Sequence, residues 1–334
     1  MSEKKVTDYN YIFLTSALRA KEPKMLTKDK TERILDAQSF DDAAKMLTDC
    51  GYPDMSGMDA PKIEKTLSAH RAEIFSEVRE LIPEPAILDV FCLKYDYHNA
   101  KVLIKAESAE IDGKYLLSDS GTVSAAAFAA AYYEEDYSVL SPVLAKALEE
   151  ARGVIKRTEN PQLADFILDR AYFTELKELA GKLYTPFVTD YVRIAIDGAN
   201  LRAAVRTLRI GRDEDFLRNA LITGGNIDAE QLASAAYADS GFAPLYEISP
   251  YREAALLGEE AAKGGRLTDF EKECDNVLTR FFASAGDISF GAQPVVAFLA
   301  AVENEITAAR MILTGKLTGV NPSLIRERLR DIHA

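Results

Sequence analysis

Apolar residues recur along most of this chain at intervals of three and four. Near the C-terminus such a series runs through Val295, Leu299, Val302, Ile306, Ala309 and Leu313. Steps of three and four place these side chains on one face of a helix. The helix is predicted to end at Gly315 or Gly319, since glycine readily takes the left-handed conformation found at helix ends. Alternating patterns typical of strands are nearly absent, and the sequence therefore predicts an all-α fold.

One helical segment occurs three times. Residues 96–105 (DYHNAKVLIK) recur at 197–206 (DGANLRAAVR) and, more loosely, at 305–314 (EITAARMILT). The first two copies have an acid, an amide, a base and then two adjacent apolar residues. The third copy has the same pattern without the amide. The acids are Asp96, Asp197 and Glu305, which lie 101 and 108 residues apart. This periodicity indicates three similar structural units.

Each unit is predicted to start with a capped helix. An apolar residue precedes a side chain that can accept first-turn amides at three positions, namely Leu26-Thr27, Val123-Ser124 and Ile227-Asp228. We predict three helical repeat domains with bounds at residues 1–113, 114–215 and 216–334, the last including a C-terminal tail helix. The tail segment 320–326 resembles the first helix of a fourth copy that is never completed.

Helical geometry assigns the repeated polar residues to a packing face. At 100° per residue the acid, the amide three residues later and the paired apolar residues share one face. These polar positions are Asp96, Asn99, Asp197, Asn200 and Glu305. Buried carboxylates and amides need hydrogen-bond partners, and we expect backbone amides or hydroxyls at helix ends of the same unit. The alternative is a cation or partner bound by the three acids, although further ligands at coherent spacing are not evident.

The repeated bases are predicted to point away from that face. They are Lys101, Lys105, Arg202, Arg206 and Arg310, and the tail adds Arg326 and Arg330. Two interpretations stay open for them. They form either a solvated helix surface or a contact surface for an acidic partner.

Composition narrows the functional class. The net charge of −13 and the pI near 4.9 argue against a general nucleic-acid binder, which needs a cationic surface. Three isolated cysteines, Cys50, Cys92 and Cys274, suit buried thiols in a reducing compartment. No signal peptide or apolar run long enough to span a membrane is visible, so we expect a soluble, cytosolic chain.

Catalytic motifs are not found. The segment from Gly286 to Gly291 has the glycine spacing of a phosphate-binding loop but continues with Ala292 and Gln293. Three histidines, at 70, 98 and 333, form no nucleophile–base or zinc pattern. We therefore expect neither an enzyme nor a bound cofactor or metal.

Several segments carry a family resemblance. They are 96–105, 160–165 (NPQLAD), 168–173 (LDRAYF), 303–306 (ENEI) and 310–317 (RMILTGKL). Together they resemble the C subunit of the archaeal and bacterial V-type and A-type ATPases, whose family includes the d subunit of the eukaryotic V-ATPase. The resemblance extends from Tyr9 to Arg330.

The resemblance implies a funnel of three helical domains around a pseudo-threefold axis. It implies a non-catalytic rotor component that joins the D and F shaft subunits to the membrane proteolipid ring, with the membrane stator as a further candidate partner. Such a component transmits torque during proton or sodium transport or ATP synthesis, and it attaches peripherally to the cytoplasmic face of the membrane. A helical-repeat scaffold for unrelated partners and an all-α enzyme with an unrecognised site are the competing hypotheses.

Overall fold

The fold is built from helices throughout the part of the chain that the structure describes. The computed structural model describes residues 6–332, in which no strand is present. The α-helices are α1 (Ile12–Lys21), α2 (Lys28–Leu35), α3 (Phe40–Thr48), α4 (Ala60–Leu81), α5 (Ala86–Ser108), α6 (Ala125–Glu134), α7 (Pro142–Thr158), α8 (Pro161–Lys182), α9 (Pro186–Arg209), α10 (Glu214–Ala220), α11 (Ala229–Ala236), α12 (Arg252–Ala262), α13 (Leu267–Ala283), α14 (Ala292–Leu317) and α15 (Pro322–Arg328). The predicted all-α class is confirmed.

Short 3₁₀ segments precede or connect some of these helices. They span Asp8–Tyr11, Glu22–Lys24, Lys114–Leu116, Tyr137–Val139 and Ala243–Tyr246. The long helix predicted near the C-terminus is α14, which passes Gly315 and ends at Leu317. Gly319 follows with a positive φ of 71°. Of the two predicted stops, the second is therefore the one that matches the left-handed cap.

The three predicted helix caps are present. The side chain of Thr27 accepts a hydrogen bond from the amide of Lys30 at the start of α2. The side chains of Ser124 at α6 and Asp228 at α11 likewise accept a hydrogen bond from the backbone amide three residues further along the chain. These caps satisfy amides that a helix cannot pair internally, which explains why each repeat starts there.

The chain divides into two compact units. Unit 1 combines the segment up to Pro85 with the segment from Phe242 onward, and unit 2 runs from Ala86 to Gly241. In unit 1, α14 packs against α1, α3, α4 and α13. In unit 2, α8 packs against α5, α7 and α9.

The limits of these units differ from the predicted domain limits at 113 and 215. The reason lies in α5, the long helix of the first repeat, which packs against α7 and α8 of the second repeat. Compactness therefore assigns α5 to the same unit as the second repeat. The division into three domains and the funnel shape stay predictions.

Candidate functional site

The carboxylate of Asp96 joins two repeats inside unit 2. This residue lies on α5 and is only 1% exposed. Its Oδ2 accepts hydrogen bonds from the amide and hydroxyl of Thr122, at 3.0 and 2.6 Å, and its Oδ1 accepts one from the amide of Val123 at 3.2 Å. Thr122 and Val123 lead directly into α6, the first helix of the second repeat. We call this arrangement, a long-helix acid bound to the segment before a repeat's first helix, a carboxylate joint.

Asp197 forms the second carboxylate joint. It lies on α9 and is 1% exposed. Its Oδ1 accepts a hydrogen bond from the amide of Ile227 at 3.0 Å, and its Oδ2 accepts one from the side-chain amide of Asn226 at 2.8 Å. Asn226 and Ile227 precede α11, the first helix of the third repeat. The second repeat is thus held to the third as the first is held to the second.

Glu305 forms the third joint, in unit 1. This α14 residue is 6% exposed, and its Oε1 accepts a hydrogen bond from the amide of Leu26 at 2.9 Å. Leu26 precedes the cap Thr27 of α2, so the third repeat is bound back to the first. The hydroxyl of Tyr52 also bonds to this carboxylate.

Glycine is required where the first two joints bring a carboxylate against the backbone. A Cβ at Gly121 would lie 2.1 Å from Oδ1 of Asp96, and one at Gly225 would lie 2.2 Å from Oδ1 of Asp197. Both distances are far below van der Waals contact. The corresponding residue in the first repeat is Lys24, three residues before its cap, and there the acid is a glutamate. The extra methylene of Glu305 lets its carboxylate reach Leu26 where the backbone carries a side chain.

We expect Gly225→Ala to lower the free energy of unfolding by about 1–3 kcal/mol, because the new methyl group displaces the Asp197 carboxylate from Ile227 and Asn226. Gly181→Ala is the matched control, since a Cβ at that helical position meets nothing within 4 Å. The control should be neutral or stabilising by up to about 1 kcal/mol. Urea denaturation of both variants measures the difference, and equal stabilities would contradict the close-packing argument.

Burial has the largest effect on the pKa of the acid in each of the three joints. It raises the pKa of Asp96 and of Asp197, although the hydrogen bonds to each carboxylate act in the opposite direction. For Glu305, burial raises the pKa from its usual 4.5 to about 7, against the lowering effects of the Leu26 amide, the Tyr52 hydroxyl and nearby Lys30. The third joint therefore carries a carboxyl that titrates near neutrality.

The joints correct one part of the sequence interpretation. Amides and hydroxyls before helix starts are the expected kind of partner, but they were predicted within the same unit. Each acid instead binds the next repeat along the chain, and the third acid binds the first. Helical periodicity identifies the buried face of a helix and says nothing about which repeat covers it.

The repeated asparagines form a second link at the same helices. Asn99 accepts a hydrogen bond from the amide of Ser118 at 2.8 Å and donates one to its carbonyl at 2.9 Å. Asn200 binds the amide and carbonyl of Ile222 at 2.8 and 2.7 Å. Each of these asparagine side chains thus pairs with both the amide and the carbonyl of a single residue. That residue lies in the linker that leads to the next repeat.

The third repeat replaces its missing amide with two others. Ala308 stands where Asn99 and Asn200 stand in the other copies. Asn276 on α13 accepts a hydrogen bond from the amide of Asp331 at 2.9 Å, and Asn304 on α14 donates one to the carbonyl of Asp331 at 2.7 Å. Sequence reasoning assigned these two residues no hydrogen-bonding role, because they lie outside the repeated ten-residue pattern.

The C-terminal tail corresponds in position to the segments that follow the long helices of the first two repeats, and not to a repeat's first helix. Asp112, Asp213 and Asn321 each lie 16 residues after the acid of their repeat. Each of these side chains accepts a hydrogen bond from a backbone amide of the segment that follows, at 2.9–3.0 Å. Helix α15 therefore corresponds to α10, which connects the second repeat to the third. Repetition alone suggested a first helix there, since both kinds of segment start at a cap.

Five of the predicted contact bases form ion pairs within the chain. Lys101 and Lys105 pair with Asp169 and Asp165 on α8, at 2.5 and 2.8 Å. The remaining pairs are Arg310 with Glu64 at 2.6 Å, Arg326 with Glu32 and Asp36 at 2.8 Å, and Arg330 with Asp275 at 2.7 Å. The long-helix bases Lys101, Lys105 and Arg310 thus pair with acids on helices of another repeat, while the side chain of Lys105 is still 47% exposed. Arg202 and Arg206 on α9 also interact with other residues.

The cation hypothesis for the repeated acids gains no support from the geometry. Across residues 6–332, no group of three His, Cys, Asp or Glu side chains is placed to hold a metal ion. The oxygens of Asp96 and Asp197 are instead directed at amides and a hydroxyl. All three cysteines are buried, as predicted.

Comparison with known proteins matches nearly the whole chain to one family. Residues 14–328 match the family model described as ATP synthase (C/AC39) subunit. The chain belongs to this family. The resemblance to the C subunit of the V-type and A-type ATPases is thereby confirmed.

Individual members of the C/AC39 family are similar over most of their length. The C subunit of the V-type sodium ATPase of Enterococcus hirae is 26% identical, with 97% of this chain and 99% of that protein covered. The C subunit of the A-type ATP synthase of Methanocaldococcus jannaschii is 24% identical, with coverage of 96% and 86%. The C subunit of the V-type ATP synthase of Thermus thermophilus is 22% identical, with coverage of 75% and 78%.

Among the helices of this C/AC39 family member between residues 6 and 332, none combines the length and hydropathy needed to cross a membrane.

Proposed function

We propose that this chain is the non-catalytic central-stalk component of a V/A-type rotary ATPase, coupling the D and F shaft subunits to the membrane proteolipid ring. Membership of the C/AC39 family carries this proposal. Relatives named as the C subunits of a sodium ATPase and of ATP synthases support it. In this role the chain transmits torque during ion transport or ATP synthesis and performs no chemistry itself.

The carboxylate joints suit a part that must transmit torque. A coupling component has to resist twisting between its repeats, and each long helix here is fixed to the next repeat by a buried carboxylate. Ion pairs from the same helices, such as Lys105 with Asp165 and Arg310 with Glu64, add a second attachment beside the joint. Buried, hydrogen-bonded links are stiffer than surface contacts because water cannot replace either partner.

The partners follow from the same role. We propose binding of the shaft at one surface and of the ring at another, with the membrane stator as a further contact. The chain would lie peripherally on the cytoplasmic face of the membrane. We predict that these partners contact one or more of the residues Lys101, Lys105, Arg202, Arg206, Arg310, Arg326 and Arg330. For the five of them that form ion pairs within the chain, such a contact requires an exchange of acidic partners.

Removal of this chain should uncouple the enzyme. Membranes whose ATPase complex lacks the chain are expected to lose ATP-driven ion transport, and purified full-length protein should restore it. Asp197→Ala, which removes a joint, should lower the number of ions moved per ATP hydrolysed. Asp190→Ala on the same helix removes only an exposed ion pair with Arg193 at 3.9 Å and should leave that ratio unchanged.

Ion transport that persists without the chain would contradict the proposed role. Recovery of the chain only with proteins other than ATPase components would favour the helical scaffold instead. Equal coupling ratios for Asp197→Ala and Asp190→Ala would show that the joints do not contribute to torque transmission, while leaving the assignment to the central stalk intact.

A further inference from the structure

A groove between α7 and α8 is left open on the surface of unit 2. It has a volume of about 490 Å³ and is lined by apolar residues, among them Val143 and Ala147 on α7 and Ile167 and Ala171 on α8. Ala147 is buried at the floor, and the other three are half-buried. The opposite faces of both helices are already used, because α5 packs against α7 and α8. The groove therefore lies on a face of this helix pair that α5 does not cover.

Two bases flank this groove without acidic partners. Lys146 on α7 and Arg170 on α8 are both exposed and line the groove. Neither forms an ion pair with any residue in the range 6–332. This contrasts with Lys101 and Lys105, which the same helix α8 neutralises with Asp169 and Asp165. On a chain of net charge −13, a basic pair beside an apolar groove is a local reversal of the overall charge.

Glu150 also lines the groove, one turn beyond Lys146. Its carboxylate makes the charge pattern asymmetric along α7. A bound partner would meet positive charge at Lys146 and Arg170 and negative charge at Glu150. The pattern favours one direction of binding over the other, since reversal would bring like charges together.

The geometry suits a helix as the bound element. Lining residues 142–150 of α7 cover about two helical turns, or roughly 12 Å. Val143 and Ala147 are four residues apart on α7, as are Ile167 and Ala171 on α8, so both walls are ridges of the kind between which a third helix packs. The small side chains of Ala147 and Ala171 allow close approach of a partner backbone.

We propose that the groove between α7 and α8 binds an amphipathic helix of another protein, with small apolar residues on its buried face and carboxylates beside them. The carboxylates meet Lys146 and Arg170, and the apolar face covers Val143, Ile167 and Ala171. This inference goes beyond the rotor role and does not depend on it. The recognition mode is that of a helix in a groove.

The test uses the full-length chain and a synthetic helical probe. A fluorescent peptide of about 18 residues has alanine and leucine on one face and glutamates along its edges; a second peptide has lysines in place of the glutamates. Fluorescence anisotropy at low salt measures binding. The glutamate peptide should bind, and the double change Lys146→Glu with Arg170→Glu should weaken its binding at least about tenfold.

Two further variants separate charge from shape. Lys45→Glu with Lys65→Glu makes the same change of net charge at exposed positions of α3 and α4 outside the groove, and should alter binding less than about twofold. Ala171→Trp fills the groove without changing charge and should abolish binding. Far-UV circular dichroism confirms that each variant keeps its helices.

Several results would overturn the proposal. Equal binding of the lysine peptide, or equal losses from the groove pair and the control pair, would show that the groove does not recognise carboxylates. Unchanged binding to Ala171→Trp would place the peptide elsewhere. Self-association of the wild-type chain in sedimentation experiments that Ala171→Trp removes would identify a second copy of this chain as the occupant.

Discussion

Arg71→Ala is expected to lower the free energy of unfolding by about 3–5 kcal/mol. Arg71 lies on α4 with a side chain only 3% exposed, and it forms an ion pair with Glu303 on α14, whose side chain is 13% exposed. The guanidinium also lies 3.8 Å from the centre of the Phe75 ring. Truncation leaves the Glu303 carboxylate without this counter-charge in a largely dry site and opens a cavity between the two helices. Urea denaturation measures the loss.

A double variant tests whether charge or packing causes that loss. Arg71→Met with Glu303→Leu removes both charges and retains apolar volume, and buried ion pairs replaced in this way are often neutral or even stabilising. We therefore expect the double variant to regain most of the stability lost by Arg71→Ala. A double variant as unstable as the single one would show that the ion pair itself contributes a large net stabilisation.

Glu305→Gln is expected to change how stability depends on pH. The pKa of Glu305 is raised by burial from 4.5 to about 7 in the folded chain. A carboxyl whose folded pKa is raised stabilises the fold at low pH, and that contribution is lost as the pH rises from about 4.5 through about 7. The resulting loss in the free energy of unfolding over this pH range amounts to about 3 kcal/mol. The side-chain amide of Gln can still accept the Leu26 hydrogen bond but carries no charge to bury.

The measured quantity is the stability difference between variant and wild type from about pH 4.5 to about pH 8. The Glu305→Gln variant should gain stability relative to the wild type as the pH rises, and the difference should level off above about pH 7.5. Glu149→Gln, at an exposed position of α7, is the control and should follow the wild-type curve. A difference that stays constant across this range would show that the hydrogen bonds of Leu26 and Tyr52 offset the cost of burying the charge.

Local features of this fold could be predicted from the sequence with good accuracy. The stripe from Val295 to Leu313 lies within α14, and the caps at Thr27, Ser124 and Asp228 start α2, α6 and α11. The burial of the three repeated acids followed from their place on the apolar face. Each of these properties depends on residues within a few turns of one another, which periodicity describes directly.

The bases show what the apolar stripe of a helix does not describe. Lys101 and Lys105 were assigned to an outward face because they lie away from the apolar stripe. Helix α5 is nevertheless covered on that side as well, since α8 presents Asp165 and Asp169 to them. A helix packed on two sides has an apolar stripe facing one neighbour and ion pairs facing another, and its periodicity looks the same as that of a surface helix.

The helical class, the repeat, the caps and the identity of the buried acids follow from the sequence alone, because they depend on short-range spacing. The contacts between distant segments establish that each acid binds the next repeat, that Asn276 and Asn304 replace the amide missing at Ala308, and that α15 corresponds to α10. The same contacts show that Lys146 and Arg170, unlike the repeated lysines, lack acidic partners among residues 6–332. These choices depend on which distant segments meet, and many pairings of similar repeats satisfy the same local pattern.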